Sequence, residues 1–294
     1  MSGTQTASSG GAPLELVSPA RSNGMFDVVH ERYLLRLLVR RELKARYQGS
    51  LLGLGWSYVR PAVQFCVYFF VVGTFLGLRG RIENFPIYLF SGMVLITLFN
   101  ETLTSTTRSV VQNRTLVNKV YLPRELFPVA SLLVSLVHFL PGMVVLIVGA
   151  LVVGWTPSVT GILAALLAIA IVIVCGMAIG LACAAFNVFF RDFEKAVEVM
   201  TIVTTWSVPM IYTWASVSRH LAGTPAEKIY LANPLVSAVS LMQRAFWKPT
   251  VGIGPPLPPH LYPLGGMALV GSCLLLGLGQ LVFGRLQNRF AEAL

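Results

Sequence analysis

VTGILAALLAIAIVIVCGMAIGLACAAF, residues 159–186, contains no charged side chain. A run of this length is far longer than a membrane-barrel strand. As a helix rising roughly 1.5 Å per residue it can cross a hydrocarbon core of about 30 Å. No water is present there to satisfy backbone N–H and C=O groups, so the run must be helical. Similar runs occupy about 58–78, 86–107, 128–153, 197–215 and 263–284. The sequence therefore predicts an all-α integral membrane fold with six transmembrane helices within residues 49–294.

Composition points the same way. The 294 residues are 55% hydrophobic and 12% charged, with a mean hydropathy of +0.72; soluble domains carry about 25% charged residues. The net charge of +10 does not form a basic patch interleaved with base-stacking aromatics, so no nucleic-acid partner is implied. Instead it sorts by side. With the N-terminus inside, 16 of the 22 Lys and Arg fall on inner segments and 6 on outer ones. This puts both termini of a multi-pass membrane protein in the cytosol. Cys66, Cys175, Cys183 and Cys273 all lie inside apolar runs without metal-ligand spacing, which argues against a disulfide framework. Residues 1–25, rich in Ser, Gly and Pro, lack the apolar core of a signal peptide and read as a disordered cytosolic tail.

Residues 26–48 read as a basic amphipathic interface helix. Leu34, Leu35, Leu38 and Val39 share one arc; Arg32, Arg36, Arg40 and Lys44 form an i, i+4 row opposite. Glu31 and Glu42 interrupt the apolar arc, so packing on protein competes with packing on lipid. Between the second and third runs stands QNRTLVNKVYLPRELFP (112–128), charged in both signs and broken by Pro123 and Pro128. Its Leu116, Val117, Val120, Tyr121 and Leu122 give it an apolar side at helical spacing, which suits a short amphipathic helix at the cytosolic surface; a juxtamembrane turn with topogenic charges is the plainer alternative. On the outer side, YLANPLVSAVSLMQRAFW (230–247) is too apolar to float in water. It reads as short re-entrant helices within 228–247, broken at Asn233–Pro234, or as an interfacial hairpin.

No chemistry-bearing motif stands out. There is no P-loop, no Asp-x-Asp, and no metal-like spacing among His30, His138, His220 and His260. The chain is not expected to be an enzyme or to hold a cofactor. Polar residues inside spans are the next place to look. Thr97, Asn100, Glu101, Thr104 and Ser105 cluster in the second span. Glu101 either faces a wet pathway and pairs across helices, or pairs locally with Arg108. In the fifth span, Pro209 is expected to kink the helix. Tyr58, Phe65, Tyr68 and Phe69 in the first span, with Trp206, Tyr212 and Trp214 in the fifth, suggest either packing or a belt on which sugar rings can slide.

Several separate stretches resemble one family. RELKARYQGSLLGLGWSYVRP (41–61), LVNKVYLPRELFP (116–128), NVFFRDFEKAVEVM (187–200), NPLVSAVSLMQRAFW (233–247) and FGRLQNRFAEAL (283–294) resemble, in order, the ABC-2 permease subunit of bacterial polysaccharide exporters for O-antigens and teichoic acids (the Wzm type). The resemblance covers about residue 30 to the end. It implies a homodimer with a channel on its two-fold axis and two copies of a separate nucleotide-binding subunit, which would carry the ATP and Mg. The substrate would be a polyprenyl-diphosphate-linked glycan. Residues 112–127 look like the coupling helix, with Leu116, Lys119, Tyr121, Pro123, Arg124 and Glu125, and Arg191 and Asp192 like a second contact. Residues 228–247, with Asn233, Pro234 and Arg244, look like the external gate. The resemblance makes Tyr58, Phe65, Tyr68, Phe69, Asn100, Glu101, Trp206, Tyr212 and Trp214 the candidate pathway. Arg40, Arg41, Lys44 and Arg46 are candidates for holding a diphosphate, against plain topogenic charge. Arg outnumbers Lys 17 to 5, and the chain most resembles the mycobacterial exporters of cell-wall galactan. The rivals are a drug or small-lipid ABC-2 exporter, a proton-coupled flippase using Glu101, and a membrane glycosyltransferase, which would need the missing acidic loop motif.

Overall fold

The computed structural model describes residues 31–49, 55–119, 122–252 and 254–293, and within these all side chains except those at 47, 56–58, 60, 118–119 and 291–292. The expected tail 1–25, the start of the interface helix (26–30) and Tyr121 lie outside the described residues. So do the side chains of Tyr58 and Lys119.

Helix α1 spans Arg32–Tyr47. Helix α2 spans Trp56–Tyr68 and continues into wider π-helical turns over Phe69–Phe75. Then come α3 (Phe85–Gln112), α4 (Arg114–Lys119), α5 (Leu126–Val152) and α6 (Val159–Phe189). They are followed by α7 (Asp192–Ser207), α8 (Trp214–Leu221), α9 (Pro225–Ala232) and α10 (Pro234–Phe246). The chain closes with α11 (Leu261–Leu286) and the short α12 (Phe290–Ala293). No strand occurs among the described residues.

Among the described residues four helices are long and apolar enough to cross a membrane: α3, α5, α6 and α11 with the turn that extends it to Arg289. Their outward faces are apolar, with Val144 and Val148 on α5, Ile162 and Leu166 on α6, and Val270 and Leu274 on α11 all exposed. The chain is thus an all-α, multi-pass membrane protein. The apolar stretch of α2, Pro61–Phe75, is shorter.

The run expected at 197–215 is not one kinked helix. Helix α7 begins earlier, at Asp192, and stops at Ser207. Val208 is extended (φ −108°, ψ 150°), the conformation that the ring of the following Pro209 imposes on its predecessor. The carbonyls freed by this break are not left bare. Gln243 Nε2 and Tyr88 Oη donate to Pro209 O at 2.6 and 2.8 Å, and Tyr88 Oη also reaches Tyr212 O at 2.7 Å. Irregular backbone at this depth is tolerated because protein surrounds it.

The centre of the bundle is α6, packed by α3, α10 and α11. Helix α10 carries a nearly continuous buried set from Leu235 to Phe246. Helices α9 and α10 are separated by a break at Asn233, as the sequence suggests: the Asn233 side chain accepts from Leu235 N at 3.0 Å, and Pro234 takes the first helical position, where no N–H is needed. Close helix approach depends on two glycines. A Cβ on Gly180 would stand 2.8 Å from Thr106 of α3, and one on Gly279 of α11 would collide with the carbonyl of Ala178.

Helix α1 lies on α5. Leu34, Leu35, Leu38 and Val39 are partly buried while Arg32, Arg36, Arg40 and Lys44 are exposed, so the apolar arc packs on protein.

Candidate functional site: a polar cleft along α3

Residues 97, 101, 104 and 108 of α3 recur at helical spacing, so one face of this helix is polar over its second half. That face forms the wall of a cleft of about 680 Å³. Helix α1 contributes Glu42 and Arg46, α2 contributes Pro61 and Gln64, and α7 contributes Thr201. Asn100 Nδ2 donates to Thr205 Oγ1 of α7 at 3.2 Å, and Gln64 Nε2 donates to Tyr68 Oη at 3.0 Å.

Three helices meet at the cleft's deepest charged group. Arg46 Nη1 of α1 stands 2.7 Å from Glu101 Oε1 of α3 and 2.8 Å from His138 Nδ1 of α5, and that same Nδ1 is 2.5 Å from Glu101 Oε1. One ring nitrogen can donate to a carboxylate or accept from a guanidinium, but not both. The cluster therefore has two hydrogen-bond arrangements: the ring nitrogen donates to Glu101, or it accepts from Arg46. Local pairing of Glu101 with Arg108, weighed from the sequence, does not occur. Arg108 Nη2 instead bridges to α7, at 2.8 Å from Glu194 and 3.1 Å from Glu198. The reason is helical geometry: both side chains leave α3 on its polar face, and each meets an opposite charge on a neighbouring helix sooner than it meets the other.

Helix α1 is held at two further points. Arg41 Nη1 donates to Asn113 Oδ1 at 3.1 Å, and Ser131 Oγ of α5 donates to Glu42 at 3.3 Å. Burial raises the Glu42 carboxyl above its ordinary value, and this outweighs the Ser131 hydrogen bond and the nearby Arg46 and Arg41, which lower it. Of the four candidate diphosphate cations, Arg40 and Lys44 point outward, Arg41 is engaged with Asn113, and Arg46 lines the cleft.

The candidate aromatics divide. Tyr68 and Trp206 meet edge to face, with ring centroids 6.4 Å apart, across α2 and α7. Phe65 and Phe69 instead turn onto α3, against Phe90 (5.3 Å) and Phe85 (6.3 Å). Trp214 is buried and stacks on Tyr230 at 6.1 Å, and Tyr230 Oη donates to Tyr212 Oη at 3.2 Å. These last three brace the turn after α7.

Of the residues expected to couple to a partner subunit, Leu116 and Pro123 are partly buried, and Arg191 and Asp192 are exposed at the start of α7. Arg124 lies over the Phe290 ring of α12 at 5.7 Å. Glu125 is fully buried, 3.5 Å from Gln280 Nε2 of α11, so its side chain packs inside the chain and is removed from the surface set. Arg244, expected in the external gate, is exposed and stacks on Tyr262 at 5.2 Å.

Two participants escaped the sequence reading. His138 lacks metal-ligand spacing to the other histidines, yet a lone histidine inside an apolar span is itself a signal. Arg108 was considered only as a local partner for Glu101.

The family model described as "ABC-2 type transporter" matches residues 33–247. The O-antigen export system permease protein RfbA of Myxococcus xanthus is 28% identical over 275 residues, covering 92% of this chain and 100% of its own length. Two permeases of the same name from Klebsiella pneumoniae are 25% and 24% identical over 261 residues, covering 89% of this chain and 95% of theirs. An all-helical membrane bundle with a polar cleft, matched by the family model over most of its described length, belongs to the ABC-2 type transporter family.

Proposed function

We propose that this chain is the membrane subunit of an ATP-driven exporter that moves a lipid-linked polysaccharide from the cytosolic to the outer face of the bacterial inner membrane. The observation that carries this reading is the cleft: it combines hydroxyls, amides and compensated charges inside an otherwise apolar bundle, with the Tyr68–Trp206 pair adjoining it. Such a surface suits a neutral polymer rich in hydroxyl groups. The relatives' names, which are those of O-antigen export permeases, support the same substrate class.

In this reading α2 and α7 complete six spans, both termini are cytosolic, and two copies of the chain face their clefts across a two-fold axis. Two copies of a separate nucleotide-binding subunit carry ATP and Mg and dock on the segment around α4 and on Arg191 and Asp192. The chain itself hydrolyses nothing. Nucleotide-driven closure displaces α4, and α3 transmits the movement to the cleft wall. A cell-wall galactan is the polymer that the resemblance to the mycobacterial exporters, together with the Arg-rich composition, favours, with O-antigen or teichoic acid as rivals.

The test is purification of the full chain from native membranes together with a depletion strain. Recovery of a stoichiometric ATPase, with lipid-linked glycan accumulating inside depleted cells, supports the reading. Purification of the intact chain without an ATPase sinks it. It would then favour a proton-driven flippase, for which the Glu101–His138 pair is the specific structural ground.

A further inference from the structure

The far end of the chain folds back onto the bundle. Helix α11 ends at Leu286, a single 3-10 turn over Gln287–Arg289 redirects the backbone, and α12 begins at Phe290. The Phe290 side chain is fully buried. It meets Phe283 of α11 edge to face at 5.3 Å, and Phe189, the last residue of α6, at 6.0 Å. With Val110, Leu181, Ala184 and Val188 it forms a small apolar core separate from the main one, and Val117 of α4 packs against that core.

This returning segment touches the chain on both sides of the α4 turn. Helix α4 packs chiefly on two elements, the end of α3 from which it emerges and α12. Beyond α4, the Arg124 guanidinium lies over the Phe290 ring at 5.7 Å. A helix of six residues does not hold its shape alone, because isolated helices shorter than about 12 residues are marginal in water. Its placement must come from packing, and α3 and α12 supply that packing. Arg114 and Thr115 stay exposed, so the brace leaves one side of α4 open.

We propose that Phe290 is the positioning residue of the docking segment, and that α12 is a brace holding α4 in place for a nucleotide-binding subunit. This rests on the reading above that such a subunit docks around α4. The brace has two consequences. The partner meets a surface that is already ordered, so binding does not have to order it. The closing stroke of the partner is also delivered to α3, whereas an unbraced α4 would absorb it by bending the connection at 113–124. Residues about 170 positions downstream in the sequence thereby set how well ATP hydrolysis is converted into export.

The experiment uses the full-length chain in lipid nanodiscs, alone and assembled with the ATPase that purifies with it. Limited trypsin digestion of the chain alone, mapped by mass spectrometry, reads opening at Arg114. Phe290→Ala is expected to raise cleavage there several-fold, because α4 opens locally more often. Leu146→Ala, a truncation of another fully buried side chain toward the opposite end of α5, lowers Tm but leaves cleavage at Arg114 unchanged. In the assembled complex, Phe290→Ala lowers export per ATP hydrolysed about tenfold, a size typical of coupling between distant sites. Phe290→Leu keeps the apolar volume but not the ring under Arg124 and recovers part of that loss; it also carries the test should Phe290→Ala not fold. Unchanged cleavage at Arg114 overturns the brace. Raised cleavage with export per ATP unchanged overturns the positioning role and leaves the export reading standing. A wild-type chain that purifies without any ATPase overturns the export reading, while the digestion still decides the brace.

Discussion

Arg46 Nη1 and Glu101 Oε1 stand 2.7 Å apart, joining a helix on the flank of the bundle to the middle of its longest polar face. The nearby contacts of Arg41 with Asn113 and Glu42 with Ser131 fix the register of α1 along α3 and α5. A segment that sequence pattern reads as a membrane-surface anchor is therefore also a wall of the cleft.

A double-mutant cycle of Arg46→Gln and Glu101→Gln should give a coupling of about 1 kcal/mol, kept modest because both groups are partly exposed. Glu101→Gln alone should cost more than Arg46→Gln, since it also removes the partner of His138. Thermal melts of the detergent-solubilised protein measure both, and a coupling near zero would make the pair incidental.

The Arg108 bridge predicts a functional rather than a structural lesion. Arg108→Gln frees the end of α3 from α7 and should reduce export about fivefold, the equivalent of about 1 kcal/mol, with ATP hydrolysis by the assembled complex retained. Arg108→Glu, which repels Glu194 and Glu198, should be worse, and combining it with Glu194→Arg should restore part of the loss. Export assays on cells expressing each variant decide this.

Glu42 sets a pH dependence. Because burial raises its folded-state pKa, the protonated carboxyl is favoured by folding. Its contribution is fully present below the ordinary glutamate value and is lost as pH rises through the raised one. Melting temperatures across about pH 4 to 7 should fall with rising pH more steeply in the wild type than in Glu42→Gln. Parallel slopes would contradict the assignment.

Gly279→Val should destabilise the protein by about 1–3 kcal/mol, because the new side chain meets the rigid backbone of α6 rather than a movable side chain. Gly266, with open space beside it, should accept the same change with little shift in Tm. Comparing the two melts isolates close packing from the general effect of replacing glycine.

Tyr88→Phe and Gln243→Leu should each be tolerated better than the pair, since either donor can satisfy the Pro209 carbonyl. The double variant leaves that buried acceptor unpaired and should cost about 1–3 kcal/mol. A melt of the double variant that equals the sum of the singles would show no shared role.

Much of this architecture was legible because single residues carry strong local rules. The break at Asn233–Pro234 follows from an N-cap and a proline, and the four long apolar helices follow from the cost of unsatisfied backbone in lipid. The end of α7 was harder to see. Pro209 marks a disturbance, but whether the helix kinks or stops depends on Tyr88 and Gln243 being in place to receive the freed carbonyls, and those lie far away in sequence. The cleft was half visible. Polar residues at helical spacing in 97–105 identify its wall, while the partners of Glu101 come from helices 55 and 37 residues distant. Periodicity also failed to separate Tyr68 from Phe65, because their division depends on how loosely α2 packs.

That looseness divides the molecule mechanically. Helices α3, α6, α10 and α11 interlock through small residues and buried side chains, whereas α2 touches the rest of the chain sparsely and α7 is tied to α3 largely by polar bridges. In the proposed export cycle the first group would serve as a stator and the second as a shutter. Widening the passage can then proceed by swapping a few polar contacts, without unpacking the block that anchors the protein in its bilayer.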